Sequence, residues 1–493
     1  MRVLHLASEA TPFAKTGGLA DVAGALPEAL AGLGCDVTLV LPAYREVFAK
    51  QLPVEPTGIE FDVPIGTRSS RATILRARLP GRRAETLLVA NDGYYDRPGL
   101  YGGPDDYSDN AERFIFFCRA AVELAARQER PFDLIHCHDW QTGLVPAYQK
   151  LLYRNAPAVA NARTLMTIHN MAYQGVFWHW DMLLTGLHWR HFNWRQMEYY
   201  SQLSLLKTGI VFADAVSTVS PTYAREIEQA PGGCGLEGVL AARHGVLTGI
   251  VNGIDAHVWN PATDPHLPRP YGEHDHDEGK YAARVALAAR LGHAAPAARP
   301  LVAFVGRLAE QKGITLVLEM LGRMAGSGRA QFVILGTGNN GYEEALRRMA
   351  AAFPGTIDLL LGFDEGLAHL VQAAADVMLV PSLYEPCGLT QLYALRYGTI
   401  PVVRGTGGLV DTVVDTNADT LRAGTASGFV FEHFDTGGLE HALTRALDAY
   451  ADRPLWDELV RRGMRQDWSW EASGREYLRL YERTCAAPPT ACD

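Results

Sequence analysis

Residues 301–313 read LVAFVGRLAEQKG, in which five apolar residues are followed by a loop that contains two cations. The apolar run predicts a buried β-strand. Further strand candidates, with helical patterns between them, are Gln331–Leu335, Asp358–Gly362, Val377–Val380 and Ile400–Val403. Near-continuous apolar strands that alternate with helices are typical of parallel sheets covered on both faces. The second half of the chain is therefore predicted to be a doubly wound α/β domain.

The first half of the chain carries the same pattern less regularly. Its strand candidates are Arg2–Ala7, Asp36–Leu41, Asp133–His136 and Thr164–His169, and its clearest helix is Leu19–Leu33. A polar, proline-containing stretch at Asn252–Pro261 marks the boundary between the halves, and one helix near Gly279–Leu291 follows it. Because 493 residues exceed one ordinary domain, we expect two.

Charge and composition exclude several classes of partner. The formal net charge of -10 argues against nucleic acid, because a polyanion requires a basic face. No apolar stretch approaches the ~20 residues that span a bilayer, and the N-terminus lacks the pattern of a signal peptide. The seven cysteines are scattered without a CxxC pair, which is typical of reduced thiols. We expect a cytoplasmic protein with no membrane or nucleic-acid partner.

The loop after the first quoted strand carries Arg307 and Lys312. In open α/β sheets the carboxyl ends of the strands are where ligands bind. Two cations at this position could hold a diphosphate and stabilise the charge that grows on it as it leaves. The alternative is an ordinary basic loop.

A second loop, at residues 384–391, reads YEPCGLTQ and follows the strand that ends at Val380. Its acid, Glu385, could accept hydrogen bonds from sugar hydroxyls, and the N–H groups near Gly388 and Leu389 could face a ligand. The alternative for Glu385 is a helix-capping carboxylate. Cys387 has no histidine or other base near it in sequence, which argues against a nucleophilic role.

Paired glycines open the helix of the first half, in the sequence KTGGL at 15–19. Such a turn lets the backbone approach a ligand, and the helix N-terminus offers N–H groups to an anion, with Lys15 adding a positive charge. The alternative is a tight turn with a solvated lysine. TGGLAD at 16–21 is echoed by TGGLVD at 406–411, where a second strand meets a helix.

Histidines follow two strands of the first half. His169 and Asn170 come at the end of one strand, where they could hydrogen-bond a sugar, although a structural histidine is the alternative. His136 and His138 alternate along another strand and could converge on a metal ion, but no third ligand is evident. We therefore expect no metal site and interpret Asp139 as a polar group at the strand's end.

Seven motifs occur in one order along the chain: KTGGL at 15–19, HDW at 138–140, HNMAYQG at 169–175, VNGID at 251–255, GRLAEQKG at 306–313, EPCGLTQ at 385–391 and GTGGLVDTV at 405–413. Together they resemble the bacterial glycogen synthase and plant starch synthase family. The resemblance extends from Lys15 to about Tyr481. Several of the motifs are specific to that family, whereas GGL turns and the GRL-K-G pattern are shared with many nucleotide-sugar transferases.

The resemblance implies the GT-B fold, an α/β architecture of two Rossmann-like doubly wound domains that face each other across a deep cleft. It implies an N-terminal acceptor-side domain at 1–250, a nucleotide-sugar-binding domain at 251–468, and a C-terminal helix at 469–493 that returns to the first domain. The implied reaction transfers glucose from ADP-glucose to the non-reducing end of an α-1,4-glucan, glycogen for example, with retention of configuration. Neither a metal nor a cofactor is implied.

The family motifs also assign roles to individual residues. The catalytic residues that the resemblance implies are His169, Arg307, Lys312, Glu385 and Asp139. The substrate-binding residues that it implies are Lys15, Gly18, Asp21, Asn252, Phe363, Cys387, Gly388, Gly408 and Leu409. Among these, Arg307 and Lys312 are expected to hold the diphosphate, and Gly408 and Leu409 to offer backbone N–H groups.

One departure from the family pattern is visible. Phe363 stands where family members often have a tyrosine stacked on the adenine, so stacking is expected to persist without the hydroxyl contact. Two alternatives stay open: another GT-B transferase that uses UDP-glucose or a small acceptor, and a glucan-binding protein on a decayed transferase scaffold. A phosphorylase is disfavoured because no lysine has a convincing setting for pyridoxal phosphate.

Overall fold

The structure is a computed structural model that describes residues 1–103, 105–362 and 364–488. The chain forms two compact units. The first unit contains Met1–Gly253 together with the residues from Trp470 onward, and the second contains Ile254–Ser469. Among the described residues, no helix is long and apolar enough to cross a membrane.

The first unit is built on a nine-stranded sheet and a small three-stranded sheet. Its strands are β1 (Arg2–Leu6), β2 (Asp36–Pro42), β3 (Val54–Ile65), β4 (Arg68–Ala77), β5 (Glu85–Ala90), β6 (Leu134–His138), β7 (Arg163–Ile168), β8 (Val176–Phe177), β9 (Glu198–Tyr199), β10 (Gln202–Ser204), β11 (Ala215–Thr218) and β12 (Leu247–Gly249). The large sheet has the order β12-β11-β7-β6-β1-β2-β5-β4-β3, and β3 and β4 pair antiparallel at one edge. β8, β9 and β10 form the small sheet.

Helices and connecting turns link these strands. The helices of the first unit before its boundary are α1 (Gly18–Gly32), α2 (Arg45–Ala49), α3 (Asp92–Tyr95), α4 (Asn110–Ala126), α5 (Val145–Leu151), α6 (Met182–Thr185), α7 (Leu205–Phe212), α8 (Pro221–Glu226) and α9 (Glu237–Ala241). In α1, apolar residues on one face, among them Val22, Leu26 and Leu30, are fully buried. This burial is what an amphipathic helix on a sheet requires.

The second unit is a six-stranded sheet in which every neighbouring pair is parallel. Its strands are β13 (Leu301–Val305), β14 (Gln331–Gly336), β15 (Ile357–Leu361), β16 (Val377–Val380), β17 (Ile400–Arg404) and β18 (Phe429–Phe431). The order β15-β14-β13-β16-β17-β18 is that of a Rossmann fold, with the reversal of strand order between β13 and β16.

The helices of the second unit flank its sheet. They are α10 (His276–Arg290), α11 (Ile314–Met324), α12 (Asn340–Ala352), α13 (Glu365–Ala374), α14 (Thr390–Arg396), α15 (Gly408–Thr412), α16 (Ala418–Arg422), α17 (Thr436–Ala451) and α18 (Arg453–Arg465). Strands β13 and β16 are buried almost throughout, which explains why their sequences lack polar alternation.

The last helix, α19 (Trp470–Ala486), belongs to the first unit although it follows the second in sequence. Its residues Tyr477 and Tyr481 are fully buried in a core that also contains Leu26 and Leu30 of α1. The prediction of two doubly wound α/β domains is therefore confirmed for each unit.

Candidate functional site

The polar loops of the second unit lie where its strand order reverses. Arg307 and Lys312 follow β13, and Glu385 follows β16, its neighbour in the sheet. At such a reversal the loops on either side diverge and leave a crevice outside the carboxyl ends of the strands. The structure thus places these three predicted residues at the carboxyl ends of two adjacent strands of one sheet.

Lys312 and Glu385 form an ion pair, with Nζ of the lysine 2.6 Å from Oε2 of the glutamate. Ser382 donates a hydrogen bond of 2.8 Å to the same carboxylate oxygen. Glu385 is buried, whereas about a quarter of the Lys312 side chain, 26%, is exposed. The carboxylate therefore fixes an ammonium group that can still reach a ligand. Ser382 was missed by sequence reasoning because nothing in sequence links it to Glu385's oxygen.

Arg307 is exposed, and its Nη2 donates to Oε1 of Gln311 at 3.0 Å. Gln311 in turn connects the two loops: its carbonyl accepts from the N–H of Leu383 at 2.8 Å, and its side chain donates to the carbonyl of Tyr384. The cationic loop is thus braced against the loop that carries Glu385. This bracing gives the two cations a fixed setting, which is what an anion site requires.

Two glycines permit close approach of these loops. Gly313 has φ of 72°, and a Cβ atom there would lie 2.0 Å from the carbonyl oxygen of Pro381. At Gly408 an added Cβ would lie 2.3 Å from the carbonyl oxygen of Cys387. Neither position has room for any side chain, so the packing of the loops depends on both glycines.

The backbone N–H groups assigned to an anion at the start of α15 have partners within the protein. The N–H of Gly408 donates to the carbonyls of Glu385 and Pro386 at 3.1 and 3.2 Å, and that of Leu409 donates to Thr406 at 3.1 Å. Cys387 is buried, and Gly388 is partly buried with φ of 77°. Phe363 lies outside the described residues.

In the first unit, Lys15 forms an ion pair with Asp21, with 2.6 Å between Nζ and Oδ1. Gly18 is exposed and opens α1. The turn before it is fixed by Glu9, a buried carboxylate that accepts from the N–H groups of Thr16 and Gly17. Burial raises the pKa of Glu9 above its ordinary value. Sequence reasoning missed Glu9, although its place just after β1 was the available signal.

Asp139 and His169 directly follow the neighbouring strands β6 and β7 and contact each other. Oδ1 of Asp139 accepts from the backbone N–H of His169 at 2.7 Å. Asp139 adopts φ of 56°, an uncommon conformation for a residue with a side chain and one that is concentrated at functional sites. Burial raises the pKa of Asp139 to about 7 and lowers that of His169 to about 3.

A cluster of buried histidines lies behind this pair. His5 on β1 joins His136 and His138 on β6, because β1 and β6 pair with His5 opposite His136. His5 is the third histidine that the sequence did not reveal, because it comes close to the other two only through the pairing of two strands distant in sequence. The ring nitrogens of all three already have partners in the protein, which include Tyr481 and His169. A second group that could hold a metal is His276, Asp277 and Asp457.

Asn252 is the remaining predicted residue, and it is buried just before the end of the first segment of the first unit. Its Oδ1 atom has no hydrogen-bond partner among the residues that the structure describes. A buried acceptor without a partner is uncommon and is a position at which a ligand could donate.

Comparisons with known proteins match both halves of the chain. The family model for the starch synthase catalytic domain matches residues 2–242, and that for glycosyl transferases group 1 matches residues 289–462. A glycogen synthase of Rhodopirellula baltica is 43% identical, with 98% of each chain covered. One of an Anaeromyxobacter species is 46% identical, with 99% of this chain and 100% of the relative covered.

A solved structure is also closely similar. The catalytic domain of starch synthase IV from Arabidopsis thaliana, bound to ADP and acarbose, superposes with a TM-score of 0.90 at 34% identity, covering 98% of this chain and 99% of that one. The similarity confirms the GT-B fold class and the resemblance that the motifs indicated. The chain belongs to the glycosyltransferase family of the glycogen synthases and starch synthases.

Proposed function

We propose that the protein transfers glucose from ADP-glucose to the non-reducing end of an α-1,4-glucan, with retention of configuration. The curated relatives are named glycogen synthases, and the starch synthase structure was bound to ADP and acarbose. The observation that carries the proposal is the braced pair of cations, Arg307 and Lys312, at the strand-order reversal of a Rossmann-like unit. Because charged nucleotide sugars do not cross membranes, we place the reaction in the cytoplasm.

Arg307 and Lys312 are proposed to hold the diphosphate of the donor. Glu385 orients Lys312 and has a second carboxylate oxygen that can accept a hydrogen bond from a glucose hydroxyl. The backbone at Cys387 and Gly388 would line the sugar, since the Cys387 side chain is buried. Together these groups bind an anion on one side and hydroxyl groups on the other.

Gly408 and Leu409 are proposed to approach the diphosphate through their backbone. Because their N–H groups donate to protein carbonyls, an anion would have to share or replace those bonds. In the first unit, Lys15 and Gly18 would contact the donor, with Asp21 orienting Lys15. Asn252 and Phe363 complete the proposed binding residues, Phe363 by stacking on the adenine.

Retention of configuration requires either a covalent glycosyl intermediate or attack by the acceptor on the same face of the sugar from which the leaving group departs. Asp139 is poorly suited to be the nucleophile, because its carboxylate is buried and bonded to the amide of His169. We propose same-face attack: the bond between the anomeric carbon and the phosphate oxygen breaks, and that carbon bonds to the acceptor's 4-oxygen. The departing phosphate oxygen takes the acceptor's proton, and ADP leaves with its charge held by Arg307 and Lys312.

The test is incubation of the protein with ADP-glucose and glycogen, with ADP release and polymer growth followed together. The expected result is one ADP per glucose added, and digestion by an enzyme specific for α-1,4 linkages should release the added glucose. UDP-glucose at equal concentration is expected to react more slowly. Equal use of UDP-glucose, or growth only of a small acceptor, would favour another GT-B transferase. Glycogen binding without ADP release would favour the glucan-binding alternative.

A further inference from the structure

A chain of hydrogen-bonded side chains runs through the interior of the first unit and ends at His169. We call it the histidine relay, and its members in order are Ser217, Thr167, His136, Tyr481, His5, His138 and His169. The successive donor–acceptor distances are 2.6, 2.5, 2.7, 3.0, 3.4 and 2.9 Å. Every member except His169 is fully buried, and His169 is partly exposed.

The four histidines of the relay are neutral at physiological pH. Burial lowers the pKa of His5 and of His169 to about 3, and it lowers the pKa of His136 and His138 well below the ordinary value. A neutral imidazole carries one N–H donor and one bare nitrogen acceptor. Each histidine therefore has a single hydrogen to place in the relay, as does each hydroxyl group.

This count fixes a common direction for the hydrogens. Each link between neighbours needs one hydrogen, and each member has one to give. If two neighbours both donated into the link between them, that link would hold two hydrogens; if both donated away from it, the link would hold none. All the hydrogens therefore point the same way, either from Ser217 towards His169 or the reverse.

The buried end of the relay decides between the two directions. Among the described residues, Thr167 is the one hydrogen-bond partner of the Ser217 hydroxyl, which is fully buried. In the reverse direction the Ser217 hydrogen would be buried without an acceptor, which is costly. In the forward direction every internal hydrogen has an acceptor, and the surplus N–H emerges at the partly exposed end.

We infer that the hydrogens run from Ser217 towards His169, so that His169 is held as the Nδ1–H tautomer and Tyr481 of the C-terminal helix is a positioning residue for it. Nε2 of His169 accepts from His138, and Nδ1 has no hydrogen-bond partner among the described residues. The free ring atom of His169 is thus a hydrogen-bond donor. Its ligand is an oxygen acceptor.

The consequence for catalysis rests on the proposed function. With a proton already on its free nitrogen, His169 can donate to a sugar hydroxyl or phosphate oxygen of ADP-glucose, but it cannot remove the proton of the acceptor's hydroxyl. That proton must go elsewhere, which supports its transfer to the departing phosphate oxygen. The tautomer itself is independent of the substrate.

The first test reads the tautomer directly, without activity. Long-range proton–nitrogen NMR spectra of the full-length protein labelled with ¹⁵N-histidine distinguish a protonated from a bare ring nitrogen, and His169→Gln identifies the signals of His169. We expect a protonated Nδ1 and a bare Nε2. A protonated Nε2, or an averaged pair, would overturn the inference. So would one equivalent of zinc in the purified protein that is lost in His5→Gln, since the metal would occupy relay nitrogens.

The second test removes the link from the C-terminal helix. Tyr481→Phe keeps the ring and deletes the hydroxyl, so the His169 signals should become those of mixed tautomers. At saturating ADP-glucose kcat should fall about tenfold, as for the loss of one neutral hydrogen bond, with little change in KM. Thr484→Val is the matched control, because it deletes a buried hydroxyl of the same helix outside the relay. It should leave both readouts unchanged.

Three outcomes show whether the Tyr481 hydroxyl positions His169 or only stabilises the fold. Folded Tyr481→Phe with unchanged His169 signals and kcat would show that the hydroxyl does not position His169. If that variant does not fold, Thr167→Val deletes the hydroxyl that donates to His136 and should give the same mixed tautomers. If wild-type protein shows the Nδ1–H tautomer but no transfer from ADP-glucose, the proposed function fails while the relay stands.

Discussion

The ammonium group of Lys312 lies 2.6 Å from a carboxylate oxygen of Glu385 that Ser382 also contacts. Since Glu385 is buried and Lys312 is not, the pair is oriented, with its cation towards solvent and its anion in the protein. One hydrogen of the ammonium is used by Glu385, and the others remain for a ligand. The ion pair can therefore bind an anionic ligand through the lysine, in addition to stabilising the fold.

Lys312→Ala should lower kcat at saturating ADP-glucose by about 100-fold, because loss of one preorganised donor to a growing charge costs ~3 kcal/mol. Steady-state kinetics of ADP release measure the effect, and a thermal melt shows whether the variant is folded. Arg422→Ala, at an exposed ion pair of the same unit, is the control and should keep wild-type kcat. Near-normal turnover of Lys312→Ala would refute the assignment to the diphosphate.

Lys15→Ala should raise KM for ADP-glucose several-fold more than it changes KM for glycogen, because Lys15 is proposed to contact the donor alone. Lys50→Ala is a matched control in the same unit. Both lysines are partly exposed, and each is paired with a carboxylate, Asp21 for Lys15 and Glu46 for Lys50. Equal effects of the two substitutions on KM would indicate a general effect of charge rather than a donor contact.

Gly313→Ala should destabilise the second unit and weaken donor binding, because the added Cβ would press on the carbonyl oxygen of Pro381 beside Lys312. Gly328→Ala separates this contact from backbone strain. Gly328 has a similar φ of 69° but nothing within 4 Å of an added Cβ. Gly328→Ala should lower the free energy of unfolding only by the ~1–2 kcal/mol that a left-handed backbone costs a residue with a Cβ atom. Thermal melts and KM for ADP-glucose provide the comparison, and equal melting temperatures would contradict the close contact.

Asp139 should make the protein less stable as pH rises from ~4 to ~7. Burial raises its folded-state pKa to about 7. An exposed aspartate titrates near ~3.9, so the folded state holds a proton that the unfolded state has released, and stability falls through this window by at most ~4 kcal/mol.

Asp139→Asn tests this pH dependence, because it keeps an oxygen for the His169 N–H but cannot ionise. The measurement is the midpoint of chemical denaturation of both proteins at several pH values, with the difference between them isolating Asp139 from the histidines. The advantage of the variant over wild type should grow as pH rises from 4 to 7. A constant difference would show that Asp139 ionises normally.

Much of the fold could be predicted because a buried strand appears in the sequence as a short run of apolar residues. Leu301–Val305 and Val377–Val380 were predicted with the observed bounds, and α1 was displaced by one residue. The C-terminal helix was expected within 469–493 and spans Trp470–Ala486. Helix ends depend on capping contacts that the apolar pattern does not contain, so such shifts are ordinary.

The site was predicted less completely, because its supporting residues are assembled by tertiary structure. Lys312 and Glu385 could be identified from their motifs, but the hydrogen bond from Ser382 depends on the conformation of the loop. His5 required the pairing of β1 with β6. Tyr481 required a helix from the far end of the sequence to reach the same histidines, and no local pattern predicts that contact.

The placement of α19 has a consequence for biosynthesis. During translation, residues 1–253 emerge well before Trp470–Ala486, yet the buried side chains of Tyr477 and Tyr481 complete their core. A nascent chain that has left the ribosome up to Ser469 therefore exposes apolar side chains of α1, such as Leu26 and Leu30, that α19 buries in the folded protein. A chain that ends at Ser469 lacks α19 altogether and should be prone to aggregation, because that apolar surface stays exposed.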